Sequence, residues 1–282
     1  MGENEGMKRT RRTSNLALPG VLLFGLLVSF LVIVSPAASA QDINVMTSGA
    51  FTAAYRELAP QFESEGNKKV ATAYGASMGG APDSIPMRLQ RGEPADVVIL
   101  ARPALNELVK QGKVVPASCV DLVRSRIGVA VRAGARKPDI SSVDALKRTL
   151  LEAKSIAYSD SASGVYISTE MFQRLGIADQ ILPKSRRTPG QVGVAVARGD
   201  AEIGFQQISE LLPVSGITLL GPLPPEVQRV ILFSAGIVTG SKHPNVARTF
   251  IQFLASPAAI PAIEKSGLEP IAARAVHSEP AN

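Results

Sequence analysis

Apolar and polar positions follow two rhythms along this chain, and each switch between them marks the change from a strand to a helix. Ile43 to Thr47 reads as a short strand, followed by a helix over about 50–65. Val70 to Tyr74 reads as the next strand, with a loop through Gly79 and Gly80 and a helix ending near Arg91. Asp96 to Leu100 is nearly all apolar, as a strand covered on both faces is, and Pro103 opens a helix to Lys110. Strands and helices alternating at this spacing imply parallel βαβ units and an α/β fold.

From Arg126 a second block with its own rhythm begins. It reads as a strand Ile127–Val131, a turn Gly134–Pro138, a helix Ser142–Ala153 and a strand Ile156–Tyr158. A Ser-rich turn then leads to a helix over about 164–175, a short helix Val192–Arg198 and strands Glu202–Phe205 and Ile217–Leu220. Val227–Val238 is a long β-branched run without a helical stripe, and Pro244 and Pro257 open two further helices. The two long strand candidates, 126–132 and 227–238, bracket the middle block. The expected architecture is therefore two lobes, each a mostly parallel sheet flanked by helices, joined by two crossover strands. Residues 41–125 form the first part of lobe I, 126–232 form lobe II, and 233–282 return to lobe I and its C-terminal tail. A ligand cleft between the lobes is the natural consequence.

Residues 1–40 read differently: a basic start with Lys8, Arg9, Arg11 and Arg12, an apolar stretch from Leu16 to Val34, and Ala38-Ser39-Ala40 before Gln41. These are the three regions of a cleavable signal peptide, and Pro19 and Gly20 interrupt the stretch that a membrane anchor would need intact. An exported, periplasmic location is expected. These 40 residues hold four of the 30 basic and two of the 24 acidic residues, so the remainder carries 26 and 22, net +4. That mild bias suits an anionic ligand, and it lacks the basic stripe with interleaved aromatics of a nucleic-acid binder. Cys119 is the only cysteine, and the two histidines, His243 and His277, lie near the C-terminal end, so neither an internal disulfide nor a cysteine- or histidine-based metal site is expected. No glycine-rich nucleotide motif follows a strand, so no cofactor is expected, and a monomer is expected to serve the function.

Ligands of open α/β sheets sit where strands turn into helices. Three such turns here carry hydroxyls and small residues: Thr47-Ser48-Gly49, Gly75-Ala76-Ser77-Met78-Gly79-Gly80 and Ser159-Asp160-Ser161-Ala162-Ser163-Gly164. Each taken alone is a plausible helix cap. Together they make an anion cradle, since helix-start amides and hydroxyls favour negative charge. Arg88 is a candidate clamp for an oxyanion, whereas Arg91, Arg186 and Arg187 read as surface residues. The run Gly204–Glu210 ends a strand with two amides and a hydroxyl, of which Gln206 is the candidate donor. Asp160 and Glu210 are the candidate general bases if the chain is an enzyme. Asp96, at the start of its strand, is expected to cap or pair locally.

Thr47-Ser48-Gly49, Gly75-Ala76-Ser77-Met78-Gly79 and the run Arg91 to Ile99 resemble the ModA-like molybdate-binding proteins of bacterial ABC importers, within the type II periplasmic-binding-protein fold. The resemblance covers most of residues 42–272. It implies a clamp in which Ser48 and Ser77 reach the ligand from one lobe and the turn around Ser161, Ser163 and Gly164 reaches it from the other. Thr47, Met78, Arg88 and Gln206 complete the candidate set. At Tyr158–Gly164 and Gly204–Gln207 the chain departs from the family's molybdate-binding pattern. The Ser77-Met78-Gly79, Ile85-Pro86-Met87-Arg88-Leu89 and Ser159–Gly164 runs are similar to an aconitate isomerase subgroup. The resemblance thus implies a periplasmic receptor that hands a small anion, an oxyanion or a polycarboxylate, to ABC importer membrane subunits. The alternative it leaves open is an isomerase that interconverts the trans and cis forms of aconitate by an allylic proton shift.

Overall fold

The computed structural model of the chain describes residues 42–66 and 68–271. The expected signal peptide, the loose tail after Ala272 and His277 lie outside these residues.

In chain order the elements are β1 (Asp42–Ser48), α1 (Thr52–Gly66), β2 (Lys69–Gly75), α2 (Ile85–Gln90), β3 (Val97–Ala101), α3 (Arg102–Lys110) and β4 (Val120–Arg132). There follow α4 (Val143–Glu152), β5 (Ile156–Ser159), α5 (Ala162–Tyr166), which runs through a π turn into α6 (Phe172–Arg174), then α7 (Ala178–Ile181) and β6 (Ser185–Thr188). The chain continues with α8 (Val192–Arg198), β7 (Ile203–Gln207), α9 (Ile208–Leu211), β8 (Ile217–Pro222), β9 (Val230–Ile237), α10 (Pro244–Leu254), α11 (Ile260–Lys265) and β10 (Glu269–Pro270).

The strands lie in the order β2-β1-β3-β9-β4-β7-β5-β6, with β8 and β10 also paired to β4. Both ends of this curled sheet are parallel: β1 pairs with β2 and β3, and β5 pairs with β6 and β7. The middle is antiparallel, and β4 is the element that joins the halves. Its residues 120–126 pair with β9, whereas 127–132 pair with β7 and β8. β4 starts six residues earlier than the periodicity suggests, because Asp121 and Arg124 break the apolar pattern. Asp121 is paired there with Arg102 and accepts a hydrogen bond from the Ser234 hydroxyl at 2.7 Å. The polar stretch Ser185–Thr188 is an edge strand paired with β5, and it needs no apolar face because Arg186 and Arg187 are exposed.

The all-apolar β3 is buried at every position, since helices cover both its faces. Val97, Ile99 and Ala101 enter the main core with Phe51, Tyr55 and Phe250, while Val98 and Leu100 face a second cluster with Met46, Ile85 and Leu105. The main core runs on through Ile127, Val129 and Val131 of β4 to Phe172 and Phe205, so the joining strand is itself a core element.

Asp96 does more than cap locally. Its carboxylate accepts from Asn44 N at 2.8 Å, Ser241 Oγ at 2.6 Å and His243 N at 3.3 Å, tying β1 and the β9–α10 loop to the start of β3. Burial pushes this carboxyl up, but the three hydrogen bonds, with help from His243, outweigh it and hold the pKa below the ordinary 3.8. A carboxyl depressed in this way stabilises the fold above its ordinary pKa and stops doing so as pH falls through the lowered one. Asp96→Ala is expected to lose about 2 kcal/mol in urea unfolding at pH 7, with the difference shrinking toward pH 3. An unchanged midpoint at pH 7 means the network contributes nothing.

Candidate functional site

The C-terminal ends of β1, β2, β5 and β7 open on one cleft of about 820 Å³. It lies where the two halves of the sheet face each other, and the turns singled out in the sequence supply much of its lining.

Ser48 ends β1 in extended conformation, ahead of a single 3-10 turn, Gly49–Phe51, that leads into α1. Its side chain lines the cleft, is 1 % exposed, and its hydroxyl has no hydrogen-bond partner among the described residues. Ser209 Oγ and Gln207 Nε2, from the end of β7 and the start of α9, are likewise buried, cleft-lining and unpartnered. Gln207 is held for this purpose: Ser125 on β4 donates to its carbonyl at 2.7 Å, which leaves the amide N–H groups unspent. A buried polar group left unpaired costs about 1–3 kcal/mol, so three in one cleft mark a place where a ligand's acceptor atoms belong.

The Ser-rich turn is shaped by its own hydroxyls. Ser159 Oγ and Ser163 Oγ lie 2.9 Å apart, and the Gly164 amide donates to Ser159 Oγ at 3.3 Å. Ser159, Asp160, Ser161 and Ser163 line the cleft, but Gly164 does not. Gly164 is required for packing instead, because a Cβ there would fall 1.5 Å from the Ser159 carbonyl oxygen.

The other sequence candidates divide. Ser77 lines the cleft and accepts from Ala101 N at 3.0 Å, which still leaves its proton to donate. Thr47 is buried and its hydroxyl unpartnered, but it lies outside the lining residues, as does Met78, which packs on the second core cluster. Arg88 turns away from the cleft. It pairs with Glu93 at 2.6 Å and donates to the carbonyls of Asp83 and Tyr74, fastening the β2–α2 loop to α2. Gln206 lines the cleft, but every polar atom is engaged: Oε1 accepts from Val192 N, and Nε2 donates to Gly190 O and to Glu210 Oε1, both at 2.9 Å. It is therefore a positioning residue for Glu210, with no donor left for a ligand.

Glu210 is the chemically distinctive group of the cleft. Its Oε1 sits so close to Gly49 that any Cβ there would come within 2.1 Å of it, so the carboxyl is wedged between the β1 turn and α9. Burial pushes its pKa up from 4.5 to about 7; the hydrogen bond from Gln206 opposes this, and the nearby Asp160 adds to it. The carboxyl opens onto the cleft on one side, yet protein atoms screen it from most solvent dipoles. Between pH 4.5 and about 7 the folded chain keeps a proton that the unfolded chain has lost, so stability is greatest below 4.5 and falls as pH rises through 7. Glu210→Gln is expected to stabilise the protein by about 1–2 kcal/mol at pH 8 and to make little difference at pH 4.5. Parallel pH–Tm curves for the two proteins refute a strained carboxyl at this position.

Among the lining residues that the sequence reading passed over are Arg56 and Tyr74. Arg56 follows Thr52, another lining residue, by four positions on α1, the spacing of one helix face, and that is the one hint the sequence offers.

The fold and the cleft have known counterparts. Residues 43–269 match the family described as bacterial extracellular solute-binding protein. An aconitate isomerase from Pseudomonas sp. is 46 % identical over 261 residues, covering 91 % of this chain and 98 % of that protein. The molybdate-binding protein ModA of Azotobacter vinelandii is 27 % identical over 239 residues, 82 % of this chain and 91 % of that one. Among solved structures, an Azotobacter vinelandii periplasmic molybdate-binding protein superposes with a TM-score of 0.64 at 22 % identity, covering 80 % of this chain and 98 % of its own. The sulfate-binding protein SubI from Mycobacterium tuberculosis H37Rv superposes with a TM-score of 0.65 at 20 % identity, covering 82 % and 87 %. The chain belongs to the bacterial extracellular solute-binding protein family, in the ModA-like group with the type II periplasmic-binding fold that also includes an aconitate isomerase.

Proposed function

We propose that this chain is an aconitate isomerase: it takes an unsaturated tricarboxylate into the cleft and shifts a proton between two of its carbons. The observation that carries this reading is Glu210, a carboxyl inside the ligand cleft, fixed by Gln206 and poised to exchange its proton near neutral pH. A receptor that only grips an anion gains nothing from a second negative group beside it. An enzyme that moves protons needs one whose pKa lies near the working pH. The relative at 46 % identity is of that kind and is matched over almost its whole length.

The ionised Glu210 removes a proton from the substrate methylene carbon. The C–H electron pair becomes a new double bond, and the old double bond's electrons pass into the adjoining carboxylate as an enolate. Glu210, now protonated, returns the proton to the former vinyl carbon, so the double bond has moved and no electrons are gained or lost. The product geometry is set by the torsion of the methylene arm when its proton leaves: with that arm's carboxylate on the same side as the central one, the trans form leaves as the cis form. Ser48 Oγ, Ser209 Oγ and Gln207 Nε2 donate to the oxygens where charge accumulates, and being buried and already placed they need little rearrangement to do so.

The second reading is the receptor expected from the family: a cleft that closes on a small anion and presents it to importer subunits outside the membrane, the chain being exported by residues 1–40. The unpartnered hydroxyls of Ser48 and Ser209 favour it as much as they favour catalysis. Incubation of the purified protein with trans-aconitate in D2O separates the two. Appearance of cis-aconitate supports the isomerase, and the share of deuterium at the protonated carbon reports how often the proton on Glu210 exchanges with solvent before it returns. A raised Tm without conversion or exchange leaves the receptor, and a ligand at 100 times its Kd is expected to add about 2.7 kcal/mol in either case.

A further inference from the structure

We propose that the cleft has two unlike carboxylate subsites, and that Arg56 forms the outer one and selects a polycarboxylate over a single-headed anion. The inner subsite is neutral, made of Ser48 Oγ, Ser209 Oγ and Gln207 Nε2. Among the described lining residues Arg56 is the only cation, against three acids, Asp83, Asp160 and Glu210. A ligand with several carboxylates meets positive charge in this cleft at Arg56 alone. The inference rests on the tricarboxylate reading above and adds the residue that recognises the ligand's charge.

The guanidinium is arranged for this. It lies over the Tyr74 ring, 5.3 Å from the centroid, and that ring is held edge-on by Tyr55 at 6.3 Å. Tyr55 is fixed in turn by the 2.7 Å hydrogen bond between its hydroxyl and Thr72. A guanidinium resting on an aromatic face keeps its N–H edges for a carboxylate, which it can grip with two parallel hydrogen bonds. Arg56 spends none of them on an ion pair among the described residues, although the chain pairs Arg88, Arg91, Arg102, Arg124 and Arg229. Tyr74 is 41 % exposed, unusual for an aromatic ring in a strand, and it lines the same cleft. An exposed ring that supports an unpaired guanidinium at a ligand cleft is what a carboxylate clamp requires.

The test is calorimetric binding of trans-aconitate, glutaconate, mesaconate and itaconate to the wild-type protein, Arg56→Gln and Arg56→Lys. The last three ligands are aconitate with each of its three carboxylates removed in turn. Arg56→Gln is expected to weaken trans-aconitate about tenfold or more, the size of a charge-assisted carboxylate contact. Its effect should vanish on one dicarboxylate, the one lacking the group that Arg56 holds, and persist on the other two. Arg56→Lys should recover the affinity only in part, since an ammonium lacks the fork. If conversion is measurable, KM should rise with kcat held within about threefold, because the lost binding is shared by ground and transition states. Equal weakening of all four ligands, or none, overturns the two-subsite assignment. If the wild-type protein binds no aconitate at all, the tricarboxylate reading itself falls, and this inference with it. If it binds aconitate and Arg56→Gln binds as well, only the inference falls.

Discussion

Glu210→Gln is expected to lower kcat for the trans-to-cis conversion of aconitate by about 10²- to 10⁴-fold, the usual contribution of a positioned acid–base group. The amide matches the carboxyl in size, and its oxygen can still accept from Gln206 Nε2, so the wedge between Gly49 and α9 survives. Ligand-induced thermal stabilisation should therefore persist, or increase, because a neutral group no longer repels the substrate. The wild-type kcat/KM should rise with pH through a midpoint near 7, as Glu210 gives up its proton, and this limb should be missing in the variant. Gln206→Leu serves as the companion change. It removes the hydrogen bond that favours the ionised form, so the same midpoint should move to higher pH while the base remains. Asp160 lines the cleft beside Glu210 and is the other carboxyl in reach. If Asp160→Asn carries the greater loss and Glu210→Gln keeps the acid limb, the base is Asp160.

The second large effect is structural. Gly164→Ala places a Cβ 1.5 Å from the Ser159 carbonyl oxygen, a backbone atom that cannot step aside as a flexible side chain would. Either β5 or the start of α5 must shift, and the cost is expected at about 3 kcal/mol, the upper end of overpacking penalties. The shift also breaks the Ser159–Ser163 contact and the Gly164 N–H bond to Ser159 that shape this wall of the cleft. Urea unfolding should thus show the loss in stability, and aconitate should no longer raise the Tm by its wild-type increment. A stable Gly164→Ala protein with full ligand response means the turn is more pliant than its geometry implies.

The strand-end turns were legible in the sequence because their chemistry is local. Ser48, Ser77, Asp160, Ser161 and Ser163 stand where a strand passes into a helix, and that position alone directs them to the cleft. Gln206 and Glu210 were also legible as residue types at a strand end. Their division of labour was not, since it depends on a bond four residues apart and on the approach of Gly49, which is 161 positions away from Glu210. Arg88 shows the reverse error: an arginine near a glycine-rich loop reads as an anion clamp, but Glu93, five positions on, is already within 2.6 Å. Arg56 was passed over because a charged residue on a helix face is ordinarily solvated, and nothing local shows that the face borders a cleft.

The sequence by itself determined the α/β class, the succession of βα units and the hydroxyl-rich turns, because periodicity and turn chemistry are short-range properties of the chain. Only the tertiary structure decided that β4 belongs to both halves of the sheet and that an edge strand stands at Ser185–Thr188. It also decided that burial raises the pKa of one cleft carboxyl to about 7 and that an arginine of the same cleft lies over a tyrosine ring. Burial and proximity set a group's proton affinity and its free hydrogen-bonding atoms, and both arise from contacts between residues far apart in the chain.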